Sequence, residues 1–263
     1  AYDRDPDNPD FKLNNRATTR QIFGDYIHKY YYNESIRDGF TLRLVREEIE
    51  AKYREILNKA YTDISIQVGD LDKRLIYAHP NFVEPMLDYI VKDLERTRIA
   101  NGDNSIGGMI VTNTAINKGD DLSLNQAKVL YDIFQQKYGD KYTCAIITDQ
   151  GGDKESRQDL VNDFKAGKID FLIVFNMLLT GFDCPRLKKL YLGRVIKAHN
   201  LLQTLTRVNR PYEDFRVGYI VDFADISREF DITNQAYLKE LKEEYKGSVD
   251  DDDEDNIFGS LFV

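Results

Sequence analysis

Phe171-Leu172-Ile173-Val174-Phe175 runs directly into Asn176-Met177-Leu178-Leu179-Thr180-Gly181-Phe182-Asp183-Cys184-Pro185, and Gln203-Thr204-Leu205-Thr206-Arg207-Val208-Asn209-Arg210 follows further along. An unbroken apolar run bounded by a glycine turn reads as a fully buried strand, the kind found inside a parallel sheet. Gln203, Arg207 and Arg210 are spaced i, i+4, i+7, which predicts one helical face. Leu201, Leu205 and Val208 share that spacing and fall on the opposite side. The spacing therefore predicts a helix that buries one side and presents two guanidiniums and an amide on the other. Two arginines together suit a phosphate chain, because each can bind oxygens bidentately and neither loses its charge. A solvated basic face is the competing reading.

Working outward, apolar strands alternate with helical periods. Strands are expected at Gly108–Asn113, Tyr142–Thr148, Phe171–Phe175, Lys189–Gly193 and Val217–Phe223. Helices are expected at Leu124–Tyr138, closed by Gly139, and at Lys154–Ala166, stopped by Gly167. This alternation implies an α/β fold: a parallel sheet covered by helices on both faces. Such sheets bind ligands at the carboxyl ends of their strands, where Thr112, Asp149–Gly152 and Asn176–Asp183 are expected.

Ahead of the sheet the pattern is mainly helical. Residues 1–17 are polar, and 18–32 fit a short helix ending in Tyr30-Tyr31-Tyr32, whose rings could stack on bases or pack inside. Residues 43–60 carry Leu44, Ile49, Tyr53, Ile56 and Leu57 among charges and predict an amphipathic helix. Tyr61–Asn81 is less regular, and Phe82–Ile99 predicts a long helix with Pro85 in its first turn. A charged helix is expected at Asn234–Lys246, followed by the acidic run Asp250–Asp255.

At 42% hydrophobic and 12% aromatic, 263 residues suffice for one large or two modest domains with a core. The formal net charge of −9 resides mostly in the acidic run, so acids and bases nearly balance elsewhere and net charge does not exclude a local phosphate-binding stripe. Cys144 and Cys184 are the two cysteines, and no disulfide framework or metal-ligand spacing is present. No signal peptide or membrane-length apolar run occurs, and the chain starts Ala1-Tyr2-Asp3 without an initiator Met. These features lead to the expectation of a piece of a longer cytoplasmic protein that meets no membrane.

The two opening segments resemble motifs V and VI of superfamily-two helicases and translocases. Thr180-Gly181-Phe182-Asp183 fits motif V, and Gln203, Arg207 and Arg210 fit the Q-x-x-x-R-x-x-R core of motif VI, with Thr206 where a Gly is usual. The wording Met177–Asp183, His199–Gln203 and Arg207–Tyr212 is similar to the restriction subunit of type I restriction enzymes. Phe23–Ile27 and Ile36–Gly39 share that similarity, which spans residues 18 to 240 and is strongest from 107 to 225.

The resemblance implies a RecA-like second motor domain of an ATP-dependent double-stranded DNA translocase. In it Arg207 and Arg210 act as arginine fingers on ATP, and Gln203, Gly181 and Asp183 meet the nucleotide. Thr180, Thr112 and Asn113 meet the DNA backbone. The double glycine Gly151-Gly152 allows close approach to a phosphate or serves as a flexible connection, and His199 caps the arginine helix or, as the better reading, plays a local structural role. No G-x-x-x-x-G-K-[ST] loop and no strand ending in Asp-Glu is present, so ATP and Mg²⁺ are expected to be held mainly by a first motor domain preceding residue 1. Glu50-Ala51-Lys52 fits the family's nuclease fragment E-x-K, but on a helix-patterned stretch. The implied organisation is a segment trailing the first motor domain (1–40), a helical linker (41–100), the motor domain (101–226) and a charged helix with acidic tail (227–263). The implied partners are DNA, a nuclease domain and first motor domain of the same chain, and methyltransferase and specificity subunits. Two alternatives are a repair or remodelling translocase of the same superfamily and a non-catalytic nucleotide-binding module.

Overall fold

The computed structural model describes residues 32–68, 73–112, 126–147, 153–175, 178, 181–194, 196, 198–223 and 235. The apolar run that opens the sequence is strand β4 (Phe171–Val174), every residue of it buried. It lies between β2 (Gly107–Val111) and β3 (Cys144–Ile147), pairing in parallel with both. On the other side of β2 come β5 (Leu187–Leu192), β6 (Val217–Asp222) and β1 (Arg43–Glu47), giving the order β1-β6-β5-β2-β4-β3. All five pairings are parallel.

Side chains alternate between the two faces of this sheet. Met109, Leu172 and Leu190 enter one apolar cluster, while their neighbours Ile110, Ile173 and Tyr191 enter the other. The first face is covered by α6 (Lys154–Lys165) through Val161 and Phe164 and by α7 (Ala198–Leu205) through Leu201 and Leu205. The second is covered by α4 (Pro80–Asn101) and α5 (Gln126–Tyr138), through residues such as Met86, Leu87, Ile90, Leu130 and Phe134. Burying each such side chain contributes about 1.5–3 kcal/mol. The result is the expected α/β architecture, with helices on both faces of a parallel sheet. Three more helices come before α4 in the chain: α1 (Tyr32–Arg37), the 18-residue α2 (Ala51–Val68) and α3 (Lys73–Ala78).

Two local readings are corrected. The helix expected from residue 43 begins at Ala51, and Arg43–Glu47 is instead the edge strand β1. Only Leu44 in that strand is fully buried. Its conformation is set by a distant partner, Leu44 facing Gly218 and Val45 facing Tyr219, and not by local periodicity. Its charges are absorbed by the fold: Arg46 Nη2 lies 3.0 Å from Asp222 Oδ2, and Glu47 pairs with buried Lys189. Charged side chains on an edge strand also discourage pairing with a further chain. The second correction concerns α4, which starts at Pro80 behind the cap of His79, whose Nδ1 accepts from the Asn81 N–H at 3.2 Å. Pro85 therefore falls in the second turn, not the first. The expected helices at 18–32 and Asn234–Lys246 and the acidic run lie outside the described residues, apart from Tyr32 and Gln235.

Candidate nucleotide-binding site

The chain leaves β4 at the carboxyl end of the sheet and enters β5, on the other side of β2, at the amino end. Gly181 makes the turn in a left-handed conformation (φ +70°), which a side chain would strain. The Phe182 ring then packs against Phe164 (centroids 6.2 Å apart), whose own ring fills the space beside Gly107 at the start of β2. Leu187, the first residue of β5, donates its N–H to the Cys184 carbonyl at 3.0 Å. Phe182 and Asp183 therefore sit near the amino ends of the strands. This corrects the expectation that Asn176–Asp183 as a whole lies at the carboxyl ends.

Arg207 and Arg210 meet this turn, but not from a helix. α7 stops at Leu205, so the single helical face expected for Gln203, Arg207 and Arg210 is not formed. Pro211 disfavours helical backbone at Arg210, and Thr206 turns its hydroxyl onto the chain, donating to the Gln203 carbonyl at 2.9 Å. The Arg207 guanidinium folds back across the helix end. Nε donates to the Gln203 carbonyl at 2.9 Å, Nη1 to the Phe182 carbonyl at 2.7 Å, and Nη2 to Thr206 Oγ1 at 3.2 Å. A cation at the carboxyl end of a helix is favoured by the helix dipole and satisfies a carbonyl without a helical partner. Burial, and next the charge of Arg210, push Arg207 down from its ordinary pKa, while Asp183 pulls it up.

Arg210 is held differently. Its Nε lies 3.1 Å from Asp183 Oδ1, with 42% and 64% of the two side chains exposed. The backbone beneath it is tied on three sides. Leu42 N–H donates to the Asn209 carbonyl at 2.6 Å, Lys188 Nζ donates to the Arg210 carbonyl, and the Val208 carbonyl lies against Gly218, where a Cβ would stand 2.2 Å away.

The structure thus brings together Gly181, Asp183, Gln203, Arg207 and Arg210. Gln203 contributes its backbone carbonyl as the shared acceptor of Thr206 and Arg207. Thr112 stands apart, at the carboxyl end of β2 and so roughly 15 Å, one strand length, from the amino-end cluster. It is fully buried, and its hydroxyl donates to the Val174 carbonyl at 3.1 Å. Its hydroxyl is committed within the sheet and not presented outward to a phosphate as expected. Thr180, Asn113, Asn176 and Asp149–Gly152 lie outside the described residues, as does the side chain of His199.

Sequence reading missed Lys188 and Arg194. Lys188 is buried, and burial lowers its pKa from 10.5 to about 8. The signal was a Lys188-Lys189 pair inside an otherwise apolar strand, where an amine needs an acceptor. Arg194 follows β5 at the carboxyl end, with its guanidinium 4.6 Å over the Phe175 ring and Nη2 donating to the Phe175 carbonyl at 3.1 Å. Among the described residues no group of three or more His, Cys, Asp or Glu could hold a metal ion, and no helix is long and apolar enough to cross a membrane.

Residues 96–225 match the profile of type I restriction enzyme subunit R domain 3. A putative type I restriction enzyme MjaVIIP endonuclease subunit of Methanocaldococcus jannaschii is 26% identical over 277 residues, covering 85% of this chain and 25% of that protein. The type I restriction enzyme HindI endonuclease subunit of Haemophilus influenzae is 26% identical over 245 residues, covering 83% of this chain and 23% of that protein. The chain spans about a quarter of the length of these curated relatives. A solved fragment of a putative HsdR subunit of a type I restriction enzyme from Vibrio vulnificus YJ016 aligns with a TM-score of 0.47 at 20% identity, over 79% of this chain and 38% of that one. Over residues 96–225 the chain is similar to the type I restriction enzyme subunit R domain 3 family, and over most of its length to endonuclease subunits of such enzymes.

Proposed function

We propose that this chain is one wall of the ATP site in a double-stranded DNA translocase, the motor of a type I restriction endonuclease subunit. The observation that carries this reading is the joining of the Gly181–Asp183 turn to the Arg207–Arg210 loop by two contacts, Arg207 to the Phe182 carbonyl and Arg210 to Asp183. Arg207 is anchored by backbone acceptors and serves to hold the loop. Arg210 is the finger: its partner is an exposed carboxylate, and a solvent-exposed ion pair is worth only about 0–1 kcal/mol, so a phosphate chain displaces Asp183 at little cost. A released Asp183 is then placed to accept from a nucleotide hydroxyl beside Gly181.

The donor set fits a triphosphate. Asp183 Oδ1 stands beside Nε of an exposed guanidinium, which is able to meet equatorial phosphate oxygens as charge builds on them. ATP with Mg²⁺ supplies the phosphoryl group and its counter-charge, held chiefly by a first motor domain. DNA would lie at the opposite, carboxyl end of the sheet, where Arg194 is a candidate backbone contact and Thr112 stiffens the strand end; Thr180 and Asn113, outside the described residues, stay candidate backbone contacts by their motif alone. In this reading the motor domain of residues 101–226 draws its edge strand from residues 43–47, the rest of 41–100 links it to what precedes, and 227–263 form a tail. The methyltransferase and specificity subunits and a nuclease domain complete the enzyme.

The test is ATP turnover in the full-length subunit. Arg210→Ala is expected to lower kcat by about 10³ or more with ATP affinity nearly kept. The chain by itself is expected to release no phosphate with or without duplex DNA. Near-normal DNA-dependent turnover in Arg210→Ala would return this arginine to a solvated basic face, and DNA-stimulated turnover by the chain alone would remove the half-site reading.

A further inference from the structure

We infer that Lys188 is a positioning residue for Arg210, fixing the arginine loop from beneath through the Arg210 carbonyl. The inference rests on the proposed role of Arg210 and adds a residue that no motif contains.

Lys188 belongs to β5, on the sheet face that also carries Leu190 and Leu192, whose cluster includes Leu201, Leu205 and Val208 of the arginine segment. It is fully buried, yet carries an amine. A buried amine is unfavourable unless it makes hydrogen bonds, and the acceptor that Lys188 finds is the Arg210 main chain. This contact differs in kind from the ties at neighbouring residues. Asn209 is held by a backbone N–H of Leu42, and Val208 by contact with Gly218, both independent of side-chain identity at β5. The carbonyl of Arg210 itself is held by a side chain that reaches across from the sheet. Because, among the described residues, Arg210's guanidinium is tied to one exposed carboxylate, its main chain is what gives it a defined position. The groups around the amine are the Cys184 thiol before β5, whose charge would favour the ammonium, and the Arg210 residue it touches. Burial dominates, so the site disfavours the charged amine.

The contact is tested first in the chain as it stands, without reference to ATP. In Lys188→Met the amides of Arg207 and Val208, which donate to the Thr204 and Leu205 carbonyls, are expected to exchange about tenfold faster, one hydrogen bond's worth, while those of β4 are unchanged. Lys188→Arg, which keeps a donor, is expected to restore much of the protection. Unchanged exchange in a folded Lys188→Met would overturn the inference; if that variant does not fold, failure of Lys188→Arg to protect the loop overturns it instead. The link to Arg210 is tested in the full-length subunit by a double-mutant cycle on ATP turnover. Lys188→Met is expected to lower kcat by about 10-fold or more with KM nearly kept, and to have no further effect in an Arg210→Ala background. Equal losses in both backgrounds would show a general structural role and sink the inference. If Arg210→Ala alone leaves kcat intact, the finger reading fails, and the brace is then judged on exchange alone.

Discussion

Arg210 and Asp183 form an ion pair at 3.1 Å that leaves both side chains largely open to solvent, whereas Arg207, three residues earlier, spends its guanidinium on the carbonyls of Gln203 and Phe182. The two arginines of one motif therefore do different work. The mutations that separate these roles read stability and turnover independently.

Arg210→Ala should change folding stability by no more than about 1 kcal/mol, the usual worth of an exposed pair, because nothing buried loses a partner. Arg207→Ala should cost about 2 kcal/mol or more, since charged donors to two carbonyls are lost together. Urea denaturation of the two variants checks this. Equal stabilities would mean that the anchoring of Arg207 is not energetically distinct.

Gly218→Ala should act on the arginine loop from below. A Cβ at this position would stand 2.2 Å from the Val208 carbonyl oxygen and 2.7 Å from its carbon, and these are backbone atoms that cannot swing aside. Overpacking of this kind costs about 1–3 kcal/mol. The same variant should lower ATP turnover in the full-length subunit, because relief of the clash moves the segment bearing Arg210. Wild-type turnover in a destabilised Gly218→Ala would show that the loop tolerates displacement.

How far the sequence revealed this arrangement depends on the range of the forces involved. β4 and the helices α5 and α6 were legible because an apolar run or a period of 3.6 is a local signal. α6 also announces its start: Asp153 caps it through a 2.7 Å bond from the Ser156 N–H. β1 was not legible, since Arg43–Glu47 looks like a solvated helical turn until β6 arrives beside it. The arginine segment was half legible. Its composition gave the phosphate chemistry and its spacing gave a helix, but Pro211 and the return of Arg207 onto its own helix end made it a braced loop. That Thr112 and Asp183 lie at opposite ends of the sheet could not be read locally, because it depends on which strands pair and in what direction.

Lys188 gives stability a pH dependence of known sign. Its pKa falls from 10.5 to about 8 on folding, with burial as the main cause. Below about pH 8 both states carry the proton, and the buried ammonium is a cost to the fold. Between about 8 and 10.5 the folded chain has released a proton that the unfolded chain still holds, so stability rises with pH across that window. Lys188→Met should remove this increment, on the order of 2 kcal/mol, and flatten the curve relative to wild type. Urea midpoints of both proteins across the window measure it; parallel curves would place the proton release elsewhere.

Lys189, the neighbour on the opposite face, makes a contrasting case. It is buried between Glu47 and Asp93, with Asp93 Oδ2 3.0 Å away and also accepting from the Tyr191 hydroxyl at 2.9 Å. Removing one member of a buried ionic cluster leaves the others uncompensated, typically at about 3–5 kcal/mol. Lys189→Met should therefore be among the most destabilising single changes in the sheet and should loosen α4 and β1 together, since Asp93 and Glu47 belong to them. A loss under about 1 kcal/mol would mean that the carboxylates find water or take up protons instead.

DNA binding by the chain is expected to be weak, indifferent to sequence and steeply salt-dependent. Arg194 at the carboxyl end of the sheet, and the candidate residues Thr180 and Asn113, are of the kind that meet phosphates, and their residue types offer no arrangement for reading base edges. The acidic run Asp250–Asp255 opposes approach of a polyanion wherever it lies within a Debye length, about 10 Å at 0.1 M salt. Ending the chain after Ser248 should strengthen binding modestly at low salt and hardly at all at high salt. Arg194→Ala should weaken binding to all duplexes alike and reduce the salt slope by about one unit. Fluorescence anisotropy with two unrelated duplexes across a salt series reads all three expectations. A marked preference for one duplex, or affinity unmoved by salt, would mean that the protein recognises DNA through base edges and not through its backbone.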